Sequence, residues 1–517
     1  MRVDGDAVTL LGWSPFSHDT HETWLEPEAR ALSRVGVIDV GSNSVRMVVF
    51  DGAARAPAYF YNEKVMCGLG AGLSSSGKLN PEGRVRAAAA IARFVKIATG
   101  MKVTPLIAVA TAAMREASDG PAFCAEIEAN TGLKLWVIDG AEEARLSAQG
   151  VLLGWPGADG IMCDIGGSSM EIAEITKGTV GRRATSALGP LKLADVKGGK
   201  KGLRAHIKTE LAALAEAVPV TGKRLYLVGG SWRALARLDM LRQGYPLAVL
   251  HEYEMKPKAI RATMDWVEKQ DLDDLRQRTG IGHARISLIP KAMSVLRPLL
   301  ATFKPSSVAV SSFGIREGLL YEEMSEGQRR RDPLIEASRF TEAKSARMPG
   351  FGKALYDFLA PLYKSVKPDQ LRIVRAACHL HDVGWRAHPD YRSEVVFDIA
   401  TQANLAGMTH GERIFLGLAL LHRYKNSRNG SRFEPLFKLI PEEEQQRAEI
   451  LGKALRFGAM FAAQEPGFMG ALKWFPKRRV LELHLTPDLA TLHGEVSDAR
   501  FRSLAKSLQA EAHVMVR

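Results

Sequence analysis

The stretch that decides the fold is "GIMCDIGGSSMEIAEI", Gly160 to Ile175. It opens as a buried strand, admits Asp164, passes through Gly-Gly-Ser-Ser and then resumes an alternating pattern. Packing alone asks for neither the acid nor the polar turn, so the interruption is the informative part. A second stretch, "VGVIDVGSNSVRMVVFDG" (Val35–Gly52), superimposes without gaps when Asp39 is set on Asp164. Val37-Ile38 then matches Met162-Cys163, Gly41 matches Gly166, Ser42-Asn43-Ser44 matches Gly167-Ser168-Ser169, and Arg46 falls on Glu171. Each copy predicts a strand, a tight turn and a second strand, with Gly, Asn and Ser supplying the positive φ and side-chain-to-backbone bonds of short hairpins. A device repeated at this separation implies two related lobes.

Outward from each hairpin the pattern alternates between strands and helices. "TPLIAVAT" (104–111) and "KLWVID" (134–139) read as strands, "GPAFCAEIEANTG" (120–132) as a glycine-capped helix, and "GAEEARLSAQGVLLG" (140–154) as another helix. The second half repeats short β run, glycine turn and helix in "RLYLVGGSWRALARL" (224–238) and "SSVAVSSFGIREGLLYEEM" (306–324). This predicts an α/β class with two lobes over 34–158 and 159–330, after an N-terminal extension over 1–33. The charged segment 322–333 ends the alternation, and 331–517 reads as amphipathic helices, an all-α domain.

The 517 residues, 46% hydrophobic, can bury several cores. Four cysteines without Cys-x-x-Cys spacing argue against a disulfide framework and against a thiolate zinc site, which favours a reducing, cytoplasmic setting. Residues 1–33 lack the basic-then-apolar order of a secretion signal. No apolar run reaches the roughly 18–20 residues of a membrane span, so no membrane association is expected. Seventy Lys and Arg against fifty-seven Asp and Glu leave a net charge of +13. That sign suits polyanions in general and cannot choose among nucleic acid, phospholipid and polymeric phosphate. The excess is densest in "KLADVKGGKKGLRAHIK" (192–208), "GQRRRD" (327–332) and "KWFPKRR" (473–479), the first of them glycine-spaced and loop-like.

Both turns have the makings of a phosphate site. Backbone amides of Gly41, Ser42, Asn43 and Ser44, and of Gly166, Gly167, Ser168 and Ser169, can converge on an anion, while an Asp at the strand end can hold a divalent cation. One such turn is an ordinary polar hairpin; two facing copies could grip a phosphate chain. Arg115 in "ATAAMREAS" follows a strand, where open α/β sheets place ligand contacts, and is open to two readings: a fork for phosphate oxygen, or a surface ion pair with Glu116 or a nearby acid. Arg46, beside the first turn, carries the same ambiguity. In "IDGAEEARL", Asp139 and Glu142 have helix-capping spacing. Glu143 is left over, either favouring the helix dipole or positioning a water beside the cleft.

In this order, "VGVIDVGSNSVRMVV", "ATAAMREA", "IDGAEEARL", "CDIGGSSMEI", "LVGGSWRALA" and "SFGIREGLLYE" resemble the exopolyphosphatase/guanosine pentaphosphate phosphohydrolase family, a branch of the actin-like superfamily. The resemblance spans about Arg34 to Glu323. It implies two actin-like, ribonuclease-H-like lobes with the active site between them, and metal-dependent hydrolysis of a terminal phosphoryl group. Within it Glu143 is the catalytic acid, Arg115 contacts phosphate, and Asp164 and Glu171, with Asp39 opening the other loop, are associated with Mg2+ or another divalent cation; potassium dependence is left open. "DIGGSSME" departs from the family where a third glycine and a Thr are more usual. Lys197, Lys200, Lys201, Gly229, Gly230 and Arg316 are candidate polymer or nucleotide contacts.

In the C-terminal part, "AACHLHDVGWRAHPDY" (376–391) carries His381-Asp382, with His379, His388, His410 and His422 in the same region. A His-Asp phosphohydrolase also needs an upstream histidine, and none occurs between His283 and His379; Arg347 sits near that place. Longer family members carry a helical domain similar to His-Asp phosphohydrolases, without catalysis of its own. Here such a domain would extend a basic channel through Lys473, Lys477, Arg478 and Arg479, or form the contact of a homodimer. The leading expectation is an exopolyphosphatase. The alternatives are a guanosine pentaphosphate (pppGpp) phosphohydrolase, a non-catalytic polyphosphate or nucleotide regulator, and an ATP-dependent kinase; nucleic acid is disfavoured as a partner.

Overall fold

The structure, a computed structural model, describes residues 34–52 and 55–517. The extension expected over 1–33 lies outside the described residues. The rest falls into two compact units, one ending at Arg330 and one beginning at Arg331.

The first unit is built on two sheets. β1 (Gly36–Val40), β2 (Ser44–Phe50), β3 (Tyr59–Met66), β4 (Leu106–Ala110) and β5 (Trp136–Val137) form a five-stranded sheet in the order β3-β2-β1-β4-β5. β6 (Gly160–Ile165), β7 (Met170–Thr176), β8 (Thr179–Ser186), β9 (Arg224–Val228), β10 (Glu254–Met255) and β11 (Val308–Val310) form a six-stranded sheet in the order β10-β11-β9-β6-β7-β8. The repeated segments occupy equivalent places. β1 pairs antiparallel with β2 and parallel with β4, as β6 pairs antiparallel with β7 and parallel with β9. Both turns close alike, the Gly41 amide donating to Ser44 O and the Gly166 amide to Ser169 O, each at 3.0 Å.

Val40, Val45, Met47 and Phe94 anchor the core under the first sheet. Ile172, Trp232, Leu296 and Phe303 anchor that under the second. Helix α1 (Gly140–Gly154) buries Ala144, Ala148 and Val151 against Met162, Ala173 and Val228 of the second sheet. It is crossed by helix α2 (Ile315–Glu322) at a pair of glycines. A Cβ on Gly150 would stand 2.2 Å from Gly314 O, and one on Gly318 would stand 1.8 Å from Leu146 O, so the crossing admits no side chain at either position.

Three features differ from expectation. The basic stretch 192–208 is only partly loop: Gly198 takes φ 88° and starts a helix at Gly199, which puts the exposed Lys200 and Lys201 on its first turn and the exposed Lys197 just before it. Segment His283–Phe303 has the length and apolar composition of a bilayer span, although Ile289, Val295, Leu299 and Phe303 are buried in the core of the second lobe. The C-terminal unit, finally, is not all-α. Helices α3 (Pro333–Ser345), α4 (Pro368–Leu380), α5 (Arg392–Gln402), α6 (His410–Tyr424), α7 (Glu442–Phe461) and α8 (Glu495–Ser507) are joined by a sheet of β12 (Ala471–Phe475), β13 (Val480–Leu485) and β14 (Glu511–Val516) in the order β12-β13-β14. β13 reads "VLELHL", and its period of two buries Leu481, Leu483 and Leu485 on one face. α8 provides the crossover that a parallel β13–β14 pair requires.

Candidate active site

The twin hairpins bring their turns together. Ser168 Oγ donates to Ser42 Oγ at 3.0 Å, one hydroxyl from each lobe. Behind the turns, register sets the acids. Asp39 pairs with Arg46 across the first hairpin and Asp164 with Glu171 across the second, so equivalent positions carry a basic and an acidic side chain.

Glu143 sits in the first turn of α1, where Asp139 caps the helix by accepting from the Glu142 amide at 2.7 Å. Glu142 is engaged by Arg145 at 2.7 Å, which leaves Glu143 for the cleft. Its Oε2 is buried with no hydrogen-bond partner, and the nearest cation is Arg115 Nη1 at 3.6 Å. Arg115 also donates to Ile138 O at 2.8 Å, which aims its fork, while Glu116 pairs with Lys192 at 2.7 Å. Of the ion-pair alternatives for Arg115, the one with Glu116 is not adopted and the one with a nearby acid is, the partner being Glu143 at 3.6 Å. One turn along α1 from Glu143, Ser147 donates to Asp164 Oδ2 at 2.6 Å. Thr185 donates to Glu171 Oε1 at 2.9 Å. Asp39 faces Arg316 Nη1 at 3.5 Å, a contact from α2 to the first sheet.

The four acids repel one another in a dry place. Burial, then Glu171 and Asp164, hold the Glu143 carboxyl well above its usual range. Burial and Asp164 push Glu171 up to about 8, against the hydroxyls of Ser169 and Thr185. Burial likewise raises Asp39 and Asp164, each also opposed by the other's charge or by Glu317. Around them stands a wall of cations. Burial lowers Arg46, Lys64 and Arg233, the last to about 10, and each also feels Arg316 and, for Lys64 and Arg233, Arg285. Cations packed this closely are a receptacle for clustered negative charge.

Gly229, at φ 108°, packs against Asp164, where a Cβ would stand 3.0 Å from Oδ1. Gly230 lies under the Arg285 guanidinium, 2.9 Å from where its Cβ would be. Gly41 and Gly166 close the turns, Gly167 O accepts from the Leu191 amide, and Asn43 O accepts from the Cys67 and Gly68 amides. Lys197, Lys200 and Lys201 show no contact with the acids. Sequence reasoning missed Ser147, Thr185, Lys64, Arg233, Arg285 and Glu317. Of these, Ser147 carried a signal: it lies four residues after Glu143 on a predicted helix, hence on the same face.

Among the described residues no three His, Cys, Asp or Glu side chains gather as a direct metal shell. The raised acids nevertheless suit a hydrated divalent cation, which takes one or two carboxylates and completes its shell with water and substrate phosphate. In the C-terminal unit, Arg347 occupies Asp382 with Nη2 at 2.6 Å from Oδ1 and Nε at 2.9 Å from Oδ2, so a guanidinium stands where a His-Asp site would need its metal.

Two lobes of matching topology, meeting at paired polar turns over buried acids, agree with the actin-like fold that the sequence motifs imply. Within it, the chain belongs to the Ppx/GppA phosphatase family, which it matches over residues 48–326, and residues 357–515 match the exopolyphosphatase C-terminal domain. It is 26% identical to exopolyphosphatase 1 of Mycobacterium leprae over 56% of this chain and 89% of that protein. It is 24% identical to the guanosine-5'-triphosphate,3'-diphosphate pyrophosphatase of Aeromonas hydrophila over 78% of this chain and 82% of that protein. The crystal structure of an exopolyphosphatase from Cytophaga hutchinsonii shares the fold of 56% of this chain and 98% of its own, at a TM-score of 0.51 and 23% identity.

Proposed function

We propose that the protein is an exopolyphosphatase that removes the terminal phosphate of inorganic polyphosphate with water as the nucleophile. The observation that carries this reading is Glu143 Oε2: a buried carboxylate oxygen without a hydrogen-bond partner, beside Arg115 and among three further acids. An unsatisfied buried acceptor calls for a donor, and an attacking water is one. The raised pKa of Glu143 makes its carboxylate the stronger base.

The terminal phosphoryl group would rest between the turns, with amides of 41–44 and 166–169 and the Arg115 fork on its equatorial oxygens. Glu143 takes a proton as the water oxygen bonds to phosphorus, the anhydride P–O bond breaks, and the shortened chain leaves along the wall of Arg46, Lys64, Arg233, Arg285 and Arg316. Asp164 and Glu171, with Asp39 opposite, would hold Mg2+ or a similar cation. When bound, that ion supplies Lewis-acid polarisation and offsets the crowding of the carboxylates. Ser147 and Thr185, by donating to Asp164 and Glu171, would fix those carboxylates for it. We further infer that the C-terminal unit resembles a His-Asp phosphohydrolase disarmed by Arg347.

A second reading, hydrolysis of pppGpp at the same site, is favoured by the Aeromonas relative, whose match runs through 78% of the chain. Purified protein with Mg2+, offered long polyphosphate, tripolyphosphate and pppGpp separately, is expected to release Pi fastest from the long polymer. Glu143→Gln is expected to lower kcat by about 10²–10⁴ without loss of melting temperature, because it removes an acid that burial disfavours. Wild-type rates in that variant would overturn the mechanism, and turnover of pppGpp alone would select the second reading.

A further inference from the structure

The C-terminal unit holds a buried basic cluster that the proposed hydrolysis does not use. Asp382, fully buried, is balanced by Arg347, which also brings its backbone amide to Oδ2 at 3.3 Å. Positive charge beyond that pair is unmatched. Arg423, on α6, is 6% exposed and its Nε has no hydrogen-bond partner. Burial, with Arg347 and Arg392, works against its charge and lowers its pKa, while Tyr424, whose ring lies 4.9 Å from the guanidinium, and Asp382 favour it. Glu342, the next acid, is taken up by His379 at 2.5 Å and by the amides of Gly350 and Gly352. Arg347 thus bonds the one carboxylate here, Arg392 sits half-exposed with its Nε donating to Ala387 O at 3.1 Å, and Arg423 is the deeply buried member. Three guanidinium charges are felt together against one Asp382, an excess of two. An unpaired buried cation is costly, and Arg423 is one, with two further arginine charges beside it.

His381 adds a chemical preference. Its ring is fully buried, and Nδ1 lies 2.7 Å from Cys378 O, which fixes the proton on that nitrogen. Nε2 is then a bare lone pair, and it has no partner. The ring stays neutral at pH 7 because burial and Arg423 hold its pKa at about 4. The cluster therefore offers donors from arginine and a single acceptor from histidine. Its rim is open on one side, where the Arg347 side chain is 42% exposed.

We propose that Arg423, Arg392, Arg347 and His381 form a second anion site, which takes a doubly charged, protonated oxyanion of the phosphate class. Two negative charges match the excess, and the P–OH group donates to His381 Nε2. Sulfate has the same size and charge and no proton to give, so the site discriminates against it. The ligand is free phosphate or the end of a phosphate chain; both present the same group. This assignment is independent of the catalytic reading above.

The test is hydrogen exchange on the full chain, read in peptides covering 376–392 and 410–424, during titration with orthophosphate, pyrophosphate or sulfate. Orthophosphate is expected to protect both peptides, with sulfate at least about tenfold weaker. Stronger protection by pyrophosphate identifies a chain end, and weaker protection identifies the free ion; either outcome supports the site. Arg423→Met, which keeps the volume and removes the charge, is expected to abolish the protection and to melt no lower than wild type without phosphate. Arg392→Gln, at the rim, is expected to weaken it by at least about tenfold and serves if the first variant does not fold. Arg115→Gln is expected to leave it intact. Failure of phosphate to protect, protection in Arg423→Met or Arg392→Gln equal to wild type, or equal response to sulfate would overturn the proposal.

Discussion

Ser147 shows how a residue outside every motif can govern the site. Its hydroxyl is fully buried and gives Asp164 a hydrogen bond that favours the charged carboxylate. Ser147→Ala removes that bond and leaves the neighbouring acids in place. The Asp164 pKa then rises further, by about one unit for a lost bond of roughly 1.5 kcal/mol to a charged group. Activity that needs ionised Asp164 is lost at higher pH than in wild type, so the acidic limb of the pH–rate profile should move up while the alkaline side stays. An unmoved limb would show that Asp164 is not the group being titrated. At this scale the sequence was informative where chemistry sits in a turn. Asp39 and Asp164 stand out because an acid before a glycine-serine turn interrupts an apolar pattern, whereas Glu143 and Glu171 were marked by the motifs of the family resemblance. Lys64, Arg233 and Arg285 did not stand out, since each is an ordinary cation on its own element and only folding brings the three together.

At the scale of elements, the crossing of α1 and α2 carries the site. α1 bears Glu143 and Ser147; the first turn of α2 carries Arg316, which faces Asp39, and Glu317, which accepts from Tyr59 of the first sheet at 2.9 Å. A methyl group at Gly318 must displace the backbone of α1, because no side chain stands there to yield. Gly318→Ala is expected to cost about 1–3 kcal/mol of stability, as overpacking does, measured by denaturant unfolding. Activity should fall by more than that loss explains when assayed well below the melting temperature. Full activity in a destabilised protein would separate the crossing from catalysis. The turns and their flanking strands were legible from period and glycine placement. The C-terminal sheet was overlooked although "VLELHL" alternates cleanly, because the strands are short and the second partner, β14, arrives only after a whole helix.

For the molecule as a whole, the net charge of +13 acquires an address. Part of it is the wall of Arg46, Lys64, Arg233, Arg285 and Arg316 beside the acids; the exposed lysines at 197–201 stand apart from it. A long polyanion that displaces counterions from such a wall should bind less well as salt rises, by the reasoning developed for nucleic acids. KM for long polyphosphate is expected to rise at least about tenfold between 50 and 200 mM salt, with kcat changed far less. A flat response would mean that binding is decided by the terminal phosphate alone.

The duplicated hairpin also has a direction. Its two copies set the same backbone around the same space, yet one places Arg46 where the other places Glu171. A doubling that kept the sign would have produced a symmetric cradle, indifferent to which way a linear ligand lay. With one sign reversed, the two ends of such a ligand meet unlike neighbours, so the chain has a head and a tail from the moment it enters.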